Sequence, residues 1–505
     1  MTVLVIDAGT SGIRAAVIRA GGEIVAEQRR EVLPDSPASG LVEFDADNYA
    51  AAAIELAVAA LAEATTAGVP AVDAVGISNQ RASCIVWDRA TGRAVAPAQG
   101  WQDLRTLGDC LVLAAEGLRF APNQTATKAR NIWDAVDPER RRDLCVGTPD
   151  AWLVWKLTEG SVHATDASNA GVTGLATLTA SGAGDSDRDR DRWNARLLDA
   201  LRIPASAMPT IVDSIGFVGY ASALPGSPPI MSMVGDQQAS LAGQGAVHPG
   251  MAKITFGTGA MLDVCLGDAA PESAQRSDGG TFPIACWRQN GAITWGLESI
   301  MLSAGTNVQW LRDDLGIIET AADSARIAAL CEHTDGVVYV PAQMGLGTPH
   351  WDYGARSGLF GVTRGTERSH VVRAVLEGVA HRGVDLVEAA EADASALIRG
   401  LTISVLRIDG GMSENPVFTQ ALADLTGRRV EVAPEKEATA AGAAALAELA
   451  LGTFDGWDDL AGVWHPARVI EPEMSSEERS TARDRWARAV ERCAGWHGDL
   501  SALDF

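Results

Sequence analysis

The sequence predicts an α/β protein made of two similar halves. Each half opens with hairpin strands around a Gly-Thr turn, over residues 2–20 and 251–267, and continues into helices and further strands. At 505 residues the chain is also longer than one hydrophobic core usually supports. We therefore expect two domains related by an internal duplication, with a ligand cleft between them.

The first half alternates strands with helices. Apolar, β-branched runs separated by glycine turns predict a three-stranded meander, and an alanine-rich stretch of helical period predicts the helix that follows. Two more strands come next, and a later helix is bounded by Thr148 as its N-cap and Gly160 as its stop. The ranges are 2–7, 13–20 and 23–32 for the meander, 49–67 for the helix, and 72–80 and 82–88 for the two strands.

The second half repeats this plan. A hairpin through Asn290 and Gly291 follows its opening strands, and helices come after it. The ranges are 279–296 for the hairpin, about 298–315 and 369–392 for helices, and 401–432 for a strand, glycine-rich turn, helix and strand. A mixed-charge run at 182–192 predicts a solvated loop, and the residues after 453 predict a peripheral helix.

The composition excludes several classes of partner. The formal net charge is −24 and the pI is about 4.7, so nucleic acid and anionic membranes would be repelled. No apolar run of about 20 residues predicts a membrane span, and the apolar start is too short for a signal peptide. The seven cysteines lack metal-site spacing, which is typical of reduced thiols in a cytoplasmic protein. The acidic composition does not exclude small molecules that carry phosphate, because backbone amides can hold them.

The stretch "DAGTSGIR", residues 7–14, is the first candidate site. A strand ends at Asp7, and the turn after it offers backbone amides with the hydroxyls of Thr10 and Ser11, while Arg14 adds a positive charge. Such a turn can cradle a phosphate, and Asp7 can hold Mg²⁺ directly or through water. The alternative is an ordinary polar hairpin turn.

Two stretches in the second half have a similar character. "TFGTGAM", residues 255–261, repeats the Gly-Thr-Gly turn, and a pair of such loops can close on one phosphate chain from both sides. In "RIDGGMSENP", residues 407–416, the glycines permit close approach of a ligand and Asn415 can bind a base or ribose. The alternative for that stretch is a strand-to-helix turn capped by Ser413.

Asp236 opens the stretch "DQQ" between an apolar run and a small-residue helix. An aspartate at such a junction is typical of an N-cap, and the same carboxylate can also carry chemistry. A polar pocket for a polyhydroxylated ligand is indicated by Arg81 at the end of a buried strand and by Trp101 in "GWQDLRT". The alternatives are core packing for Trp101 and a structural ion pair for Arg81.

Seven motifs in order resemble the FGGY carbohydrate kinases, and among them glycerol kinases most. They are "DAGTSGIR", "GISNQRASCIVWD", "GWQDLRT", "VGDQQASLAGQ", "AKITFGTGAM", "SAGTNVQWLRD" and "DGGMSENP", and the match extends from residue 1 to about 452. The resemblance implies two domains of the actin-like ATPase (ribonuclease-H-like) fold, with ATP and a sugar or polyol meeting in the cleft. The expected domains are 1–246 on the substrate side, 247–452 on the nucleotide side, and a helical extension over 453–505. A homodimer or homotetramer is compatible with such a kinase.

The resemblance also implies roles for individual residues. Asp236 matches the catalytic base that takes the proton from a primary hydroxyl as it attacks the γ-phosphorus of MgATP. Arg81 and Gln237 match residues that bind substrate hydroxyls, Trp101 matches an aromatic wall, and Asp7 is the carboxylate on the metal side. The nucleotide-binding positions fall on Thr10, Ser11, Arg14, Thr258, Gly305, Gln309, Gly411 and Asn415.

Three positions depart from the glycerol kinase pattern. Ala82 stands where those kinases have a glutamate that grips two hydroxyls, Asn123 stands where they have a pocket tyrosine, and Met261 replaces a phenylalanine. We therefore expect an acceptor larger than glycerol, such as a four- or five-carbon polyol or ketose. "TPHWD", residues 348–352 within "GTPHWDYGAR", resembles xylulose kinases, so a pentulose kinase is the alternative. A different class is an actin-like ATPase without sugar kinase activity, which would not need the set Arg81, Trp101, Asp236 and Gln237.

Overall fold

A computed structural model describes residues 1–178, 192–434 and 438–503. The strands are β1 Thr2–Ala8, β2 Gly12–Arg19, β3 Ile24–Glu31, β4 Glu43–Phe44, β5 Ala74–Asn79, β6 Ile85–Asp88, β7 Arg93–Ala94, β8 Ala98–Gln99, β9 Leu144–Gly147, β10 Ala164–Asp166, β11 Ala176–Thr177, β12 Arg192–Trp193, β13 Thr210–Val212, β14 Ile215–Tyr220, β15 Pro229–Gly235, β16 Ala252–Phe256, β17 Ala260–Gly267, β18 Phe282–Gln289, β19 Ala292–Met301, β20 Val338–Val340, β21 Gly358–Phe360, β22 Val405–Asp409, β23 Arg429–Val432 and β24 Arg468–Ile470.

The helices connect and cover these strands. They are α1 Ala46–Thr66, α2 Leu107–Ala115, α3 Thr125–Val136, α4 Pro149–Leu157, α5 Ala167–Gly171, α6 Ala195–Leu201, α7 Asp236–Gly243, α8 Thr306–Asp313, α9 Asp323–Ala328, α10 Arg368–Leu397, α11 Pro416–Thr426, α12 Ala438–Ala450, α13 Trp457–Gly462, α14 Ser476–Cys493 and α15 Gly498–Ser501. Two short 3-10 helices span Ala205–Ala207 and Gly411–Glu414.

One 13-stranded sheet runs through both halves in the order β24-β23-β22-β16-β17-β19-β18-β14-β15-β5-β1-β2-β3. In the first half, β1 pairs antiparallel with β2 and parallel with β5, and β15 is parallel to β5. In the second half, β16 pairs antiparallel with β17 and parallel with β22, and β23 is parallel to β22. The same pairing scheme thus occurs twice, as the internal duplication predicted from the sequence requires.

Helix α1 packs against the meander of the first half. Asp45 caps it by accepting the backbone N–H of Asn48, and its buried residues include Tyr49, Leu56 and several alanines. By length and composition alone α1 is apolar enough to cross a membrane, in contrast to the sequence-based expectation. Its buried residues join the core cluster formed by β1, β2 and β5, as expected for the core helix of a folded domain.

Several predicted boundaries need correction. The helix expected at about 298–315 is only α8, because residues 298–301 continue strand β19, while α10 is longer than predicted. Thr148 does precede α4, but its side chain makes no capping hydrogen bond to the helix backbone. Most of the mixed-charge run at 182–192 lies outside the described residues, and Arg192 begins β12.

Helix α12 belongs by sequence to the second predicted domain but packs on the first. The backbone carbonyl of Ala443 accepts a hydrogen bond of 2.8 Å from Ser232 Oγ of β15. Alanines of α12 share a small core cluster with residues of β1, β2 and β5. The other face of α12 lies against α7 through glycine and alanine backbone. The helix therefore fastens α7 to the sheet of the first half, and the boundaries 1–246, 247–452 and 453–505 stay a prediction.

Candidate active site

The first half brings three predicted site segments to one edge of its sheet. Strands β1, β5 and β15 run parallel, and Ala8, Asn79 and Gly235 lie in one register row. Because the carboxyl ends of parallel strands meet at the same edge, the segments that follow them are neighbours. These segments carry the first Gly-Thr loop, Arg81 and Asp236.

Asp236 is the first residue of α7, and Gly235 occupies the N-cap position. The prediction that Asp236 caps the helix is therefore wrong by one residue. From this position its Oδ1 accepts the N–H of the next residue, Gln237, at 2.8 Å. Burial raises the pKa of the Asp236 carboxyl, although the charge of Arg81 opposes the shift. The side chain keeps 27% exposure, so it is open to a ligand.

Arg81 joins the two halves. Its Nε lies 3.5 Å from Asp236 Oδ1, and its Nη2 forms an ion pair of 2.6 Å with Oε2 of Glu298 in β19. The same Nη2 is 3.9 Å from Sδ of Met261. The structure therefore contains the ion pair that was the structural alternative for Arg81. That pair also holds the guanidinium beside Asp236 and Met261, two of the residues predicted to contact the acceptor.

Trp101 links the predicted pocket to the first loop. Its indole Nε1 donates to Thr10 Oγ1 at 3.0 Å, and Asn123 Nδ2 donates to the Trp101 carbonyl at 3.1 Å. Trp101 is half-buried, so core packing does not account for the whole side chain. Ala82 lies between these groups with a φ of 60°, and its carbonyl accepts from Thr125 Oγ1 at 3.2 Å.

Gln237 has an unexpected partner from the second half. Its Oε1 accepts a hydrogen bond of 2.6 Å from Nζ of Lys253, which is fully buried in β16. Sequence reasoning missed Lys253 together with Asp263 and Glu298. The available signal was a charged residue inside each of three apolar strands, which indicates a paired or functional buried charge.

The first Gly-Thr loop is held by a buried tyrosine. Gly9 N–H donates to the Gly12 carbonyl at 3.0 Å and closes the turn. The hydroxyl of Tyr49 in α1 donates to the carbonyls of Ala8 at 2.5 Å and Gly9 at 3.1 Å. Burial raises the pKa of this hydroxyl, so it remains a donor at neutral pH. Tyr49 was not predicted as a site residue because its spacing indicated only a core position.

The other predicted residues of this loop differ in exposure. Ser11 is exposed at the tip, while Arg14 is buried and pairs with Glu27 at 3.1 Å.

Oδ1 of Asp7 accepts a hydrogen bond of 2.7 Å from Ser78 Oγ. Within the described residues no three His, Cys, Asp or Glu side chains gather into a metal cluster. Mg²⁺ commonly takes one or two carboxylates plus waters and substrate phosphates, so Asp7 fits an ion that arrives with a nucleotide.

The second Gly-Thr loop lies at the corresponding edge of the second half. The Thr258 carbonyl accepts the N–H of Ala304 at 2.8 Å, and the Gly305 N–H donates to the Gly257 carbonyl at 2.9 Å. Thr258 and Gly305 are thereby brought together. Gly410, which precedes Gly411, has a φ of 84°, and a Cβ there would collide with the backbone of Phe256. A glycine is required at that point for the two loops to approach each other.

Asn415 rather than Ser413 caps α11. Its Oδ1 accepts the N–H groups of Val417 and Phe418, at 3.0 and 3.1 Å, and its Nδ2 donates to Ser324. The cap prediction for Ser413 is therefore wrong. Since both polar groups of the Asn415 side chain have protein partners here, a ligand role would use its backbone or displace one of these bonds.

Gln309 is exposed on α8 beside a cavity of about 660 Å³. The cavity is lined by Thr306, Gln309, Trp310, Asp313, Asp314, Tyr339, Gln343, Arg356 and Ser357. Of the predicted nucleotide-binding residues, Gln309 alone lines it, while Gly305 lies at the N-terminus of the same helix.

The "TPHWD" segment lies beside β19. Thr348 N–H donates to the Ile300 carbonyl at 2.9 Å, and Trp351 Nε1 donates to the Gly280 carbonyl at 2.7 Å. The segment therefore contacts the hairpin of the second half. Its partner in β19, Ile300, lies two residues after Glu298.

Comparison with known proteins identifies the family. The N-terminal domain model of the FGGY family of carbohydrate kinases matches residues 2–243, and the C-terminal domain model matches residues 252–451. A glycerol kinase of Aromatoleum aromaticum is 39% identical over 98% of this chain and 99% of its own. Glycerol kinase 2 of Pseudomonas aeruginosa is also 39% identical, over 98% of this chain and 97% of its own.

Solved structures agree with the duplicated fold. A Plasmodium falciparum glycerol kinase with ADP has a TM-score of 0.87 at 27% identity and covers 100% of this chain and 99% of that one. A Brucella ovis protein described as a "xyloylose kinase" has a TM-score of 0.82 at 25% identity and covers 100% of both chains. These likenesses confirm the two-domain actin-like fold, and they favour a carbohydrate kinase over an ATPase that lacks an acceptor. The chain therefore belongs to the FGGY family of carbohydrate kinases, and it is a phosphotransferase whose acceptor is an alcohol group.

Proposed function

We propose that this kinase transfers the γ-phosphate of MgATP to a primary hydroxyl of a polyol or small sugar. The observation that carries the proposal is the position of Asp236, partly exposed at the start of α7 with Arg81 at 3.5 Å. A carboxylate beside a fixed guanidinium, next to loops that present backbone amides, is the arrangement that phosphoryl transfer to an alcohol needs. The residue roles below are part of this proposal.

Asp236 acts as the general base. It accepts the proton of the attacking hydroxyl, and the oxygen then bonds to phosphorus as ADP leaves. Burial raises the pKa of Asp236 above that of an ordinary aspartate, which brings it closer to the pH at which a base works best. The bond to the Gln237 N–H fixes one carboxylate oxygen, so the other is available to the hydroxyl.

The two Gly-Thr loops hold the nucleotide from opposite sides. Thr10 and Ser11 of the first loop, Thr258 of the second, and Gly411 of the turn after β22 offer hydroxyls and backbone amides to phosphate oxygens. The ADP named for the Plasmodium relative supports an adenine nucleotide as the donor. Asp7 is the residue that would meet the Mg²⁺ of the nucleotide, and its hydrogen bond from Ser78 orients the carboxylate.

The acceptor is expected to be larger than glycerol. Ala82 removes a carboxylate acceptor from the pocket floor, which weakens glycerol binding by about 1.5 to 3 kcal/mol when nothing replaces it. Asn123 and Met261 are smaller or more flexible than the aromatic residues that glycerol kinases have there, so they leave room beside Trp101 and Arg81. Glycerol or a four- or five-carbon polyol is the acceptor class, with preference for the longer members.

A pentulose is the second candidate acceptor. The observation that favours it is an unpaired donor on the residue beside Asp236, since Nη1 of Arg81 is buried and has no hydrogen-bond partner within the described part of the chain. A ketose carbonyl only accepts hydrogen bonds, so it suits a site that has lost a carboxylate at position 82 and kept its donors. The likeness to the Brucella protein is compatible with this candidate.

The test is a comparison of acceptors in a coupled ADP-release assay. We expect kcat/KM for erythritol, xylitol, arabitol or xylulose to exceed that for glycerol, and we expect no ADP release without an acceptor. A clear preference for glycerol would refute the larger acceptor. ATP turnover that ignores every acceptor would refute the kinase reaction itself.

A further inference from the structure

A row of charged side chains crosses the sheet of the second half beneath α7. Lys253 of β16 faces Asp263 of β17 in register, and Asp263 faces Glu298 of β19. On the other side Lys253 faces Arg407 of β22, which in turn faces Glu431 of β23. Residues directly opposite in a sheet point to the same face, so these five side chains form one continuous row.

The charged row is hydrogen-bonded to polar groups of α7 and of the residue that follows it. Lys253 binds the Gln237 side chain, and Arg407 donates to the Gln244 carbonyl. Asp409, two residues after Arg407 on the same face, accepts from Ser240 Oγ at 3.2 Å and from Gln244 Nε2 at 3.0 Å. The helix that begins with the proposed base is therefore held to the second half by directed polar bonds.

The Lys253 ammonium donates two hydrogen bonds and forms one ion pair. Nζ lies 2.6 Å from Gln237 Oε1, 3.0 Å from Thr255 Oγ1 and 2.9 Å from Asp263 Oδ2. Lys253 and Asp263 are both fully buried, so water does not compete for these positions. An ammonium can only donate, which means that the Gln237 atom facing it must be the carbonyl oxygen.

The amide of Gln237 is thereby fixed in one of its two orientations. With Oε1 turned to Lys253, the NH₂ group is directed away from the sheet, and it has no hydrogen-bond partner within the described residues. Reversing the amide would bring NH₂ hydrogens against the ammonium, which is repulsive at 2.6 Å and would leave a buried donor unpaired.

We propose that Lys253 is a positioning residue of the acceptor site, which holds the Gln237 NH₂ group as a donor to an acceptor oxygen of the substrate. This role of Lys253 rests on the proposed kinase function and narrows the class of acceptor group. It names a hydrogen-bond acceptor, such as a ketose carbonyl or a hydroxyl whose own hydrogen points elsewhere, as the group that Gln237 recognises.

A double-mutant cycle tests the role. Lys253→Met leaves the amide free to rotate, and we expect the KM for the best acceptor to rise about tenfold while the KM for ATP stays within about twofold. Gln237→Leu removes the donor and is expected to raise the acceptor KM by about tenfold or more. In the Gln237→Leu background, Lys253→Met is expected to add less than about twofold, since nothing is left to orient.

Two further variants distinguish a positioning role of Lys253 from a general loss of folding. Lys253→Met combined with Asp263→Leu removes both buried charges, so it supplies a folded protein where the single variant leaves Asp263 unpaired. Lys156→Met is the matched control, because Lys156 also binds a carboxylate and a backbone carbonyl but lies on α4, outside the row. We expect Lys156→Met to keep both KM values.

Gln237→Glu tests the donor directly. A glutamate keeps the bond to Lys253 but presents an oxygen where the NH₂ group was, so the acceptor KM should rise by about tenfold with no loss of thermal stability. A wild-type KM in this variant, or an independent tenfold effect of Lys253→Met in the Gln237→Leu background, would overturn the role. Wild-type protein that phosphorylates no acceptor would instead refute the kinase function, and the role of Lys253 with it.

Discussion

Nη2 of Arg81 lies 2.6 Å from Oε2 of Glu298, and the two side chains are 10% and 8% exposed. One residue follows a strand of the first half and the other lies within a strand of the second half, so the pair is a nearly dry ion pair across the base of the cleft. Its guanidinium is also the neighbour of Asp236. The charge that the proposed base experiences therefore depends on the ionisation of Glu298.

Glu298→Gln should change the pH dependence of stability. Desolvation raises the pKa of Glu298 from 4.5 to about 7, with Arg81 opposing the shift. Because the folded state binds this proton more tightly than the unfolded state, Glu298 lowers the free energy of unfolding as pH rises from about 4.5 to 7. Glutamine has no proton to lose, so the variant should gain stability relative to wild type over that window. Urea unfolding at several pH values measures the difference.

The control for this prediction is Glu332→Gln. Glu332 is exposed and has no side-chain hydrogen bond within the described chain, so it carries the same substitution outside the buried ion pair. A constant difference between wild type and Glu298→Gln from pH 4.5 to 8 would contradict the raised pKa of Glu298.

Asp236→Asn should abolish most phosphoryl transfer. General-base catalysis contributes about 10²- to 10⁴-fold, so we expect kcat to fall by at least about 100-fold. The affinity for ATP, measured by calorimetry, should stay near that of wild type, since the amide keeps the shape of the side chain. Asp268→Asn, at an exposed carboxylate after β17, is the control and should leave kcat unchanged. Residual turnover above a few per cent would contradict the role of Asp236 as the base.

Much of the fold could be predicted from local patterns. The strands around both Gly-Thr turns and the hairpin through Asn290 and Gly291 follow from apolar periodicity and glycine positions, and the structure confirms them. The end of β19 was assigned to a helix because residues 298–301 are too short a segment to show a period. Their strand character comes from pairing with β17, which is a tertiary contact.

Site residues could be predicted where a sequence motif indicates their role, but not where the role depends on a contact with a residue elsewhere in the fold. The roles of Arg81, Trp101 and Gln237 are indicated by their motifs. Lys253 also lies in a motif, "AKITFGTGAM", but its role, like that of Glu298, depends on contacts with other elements of the fold. Strand periodicity indicates that such charges are buried, but only the register of β16, β17 and β19 shows that they face one another. The position of Asp236 at N1 rather than at the N-cap is a similar case, because it depends on where β15 ends.

Ala82→Glu should shift the acceptor preference toward glycerol. A carboxylate restored beside Arg81 adds an acceptor for hydroxyl hydrogens, which corresponds to roughly 10- to 100-fold in kcat/KM for glycerol. The backbone cost is small, because Ala82 already has a φ of 60° and every residue with a Cβ meets similar strain there. Ala82→Gln, which adds the same bulk without charge, is the control. An unchanged ratio of glycerol to xylitol activity in Ala82→Glu would contradict the assignment of position 82 to the acceptor pocket.

Gly442→Ala should loosen the helix that carries the proposed base. Gly442 of α12 lies against the backbone of α7, and a Cβ there would collide with the Ala239 carbonyl oxygen and come within 2.8 Å of the Gly243 nitrogen. Backbone atoms cannot rotate away, so the helices must separate, which costs about 1 to 3 kcal/mol. Alanine favours a helix over glycine by about 1 kcal/mol, and the collision is the larger effect. We therefore expect a lower free energy of unfolding and a reduced kcat.

The matched control is Gly462→Ala at the end of α13. No heavy atom lies within 4 Å of a Cβ at Gly462, so only the helix preference acts and the free energy of unfolding should stay equal or rise by a few tenths of a kcal/mol. Chemical denaturation and kcat of both variants give the comparison. If Gly442→Ala were as stable and as active as Gly462→Ala, the close contact of α12 with α7 would not be what holds Asp236 in place.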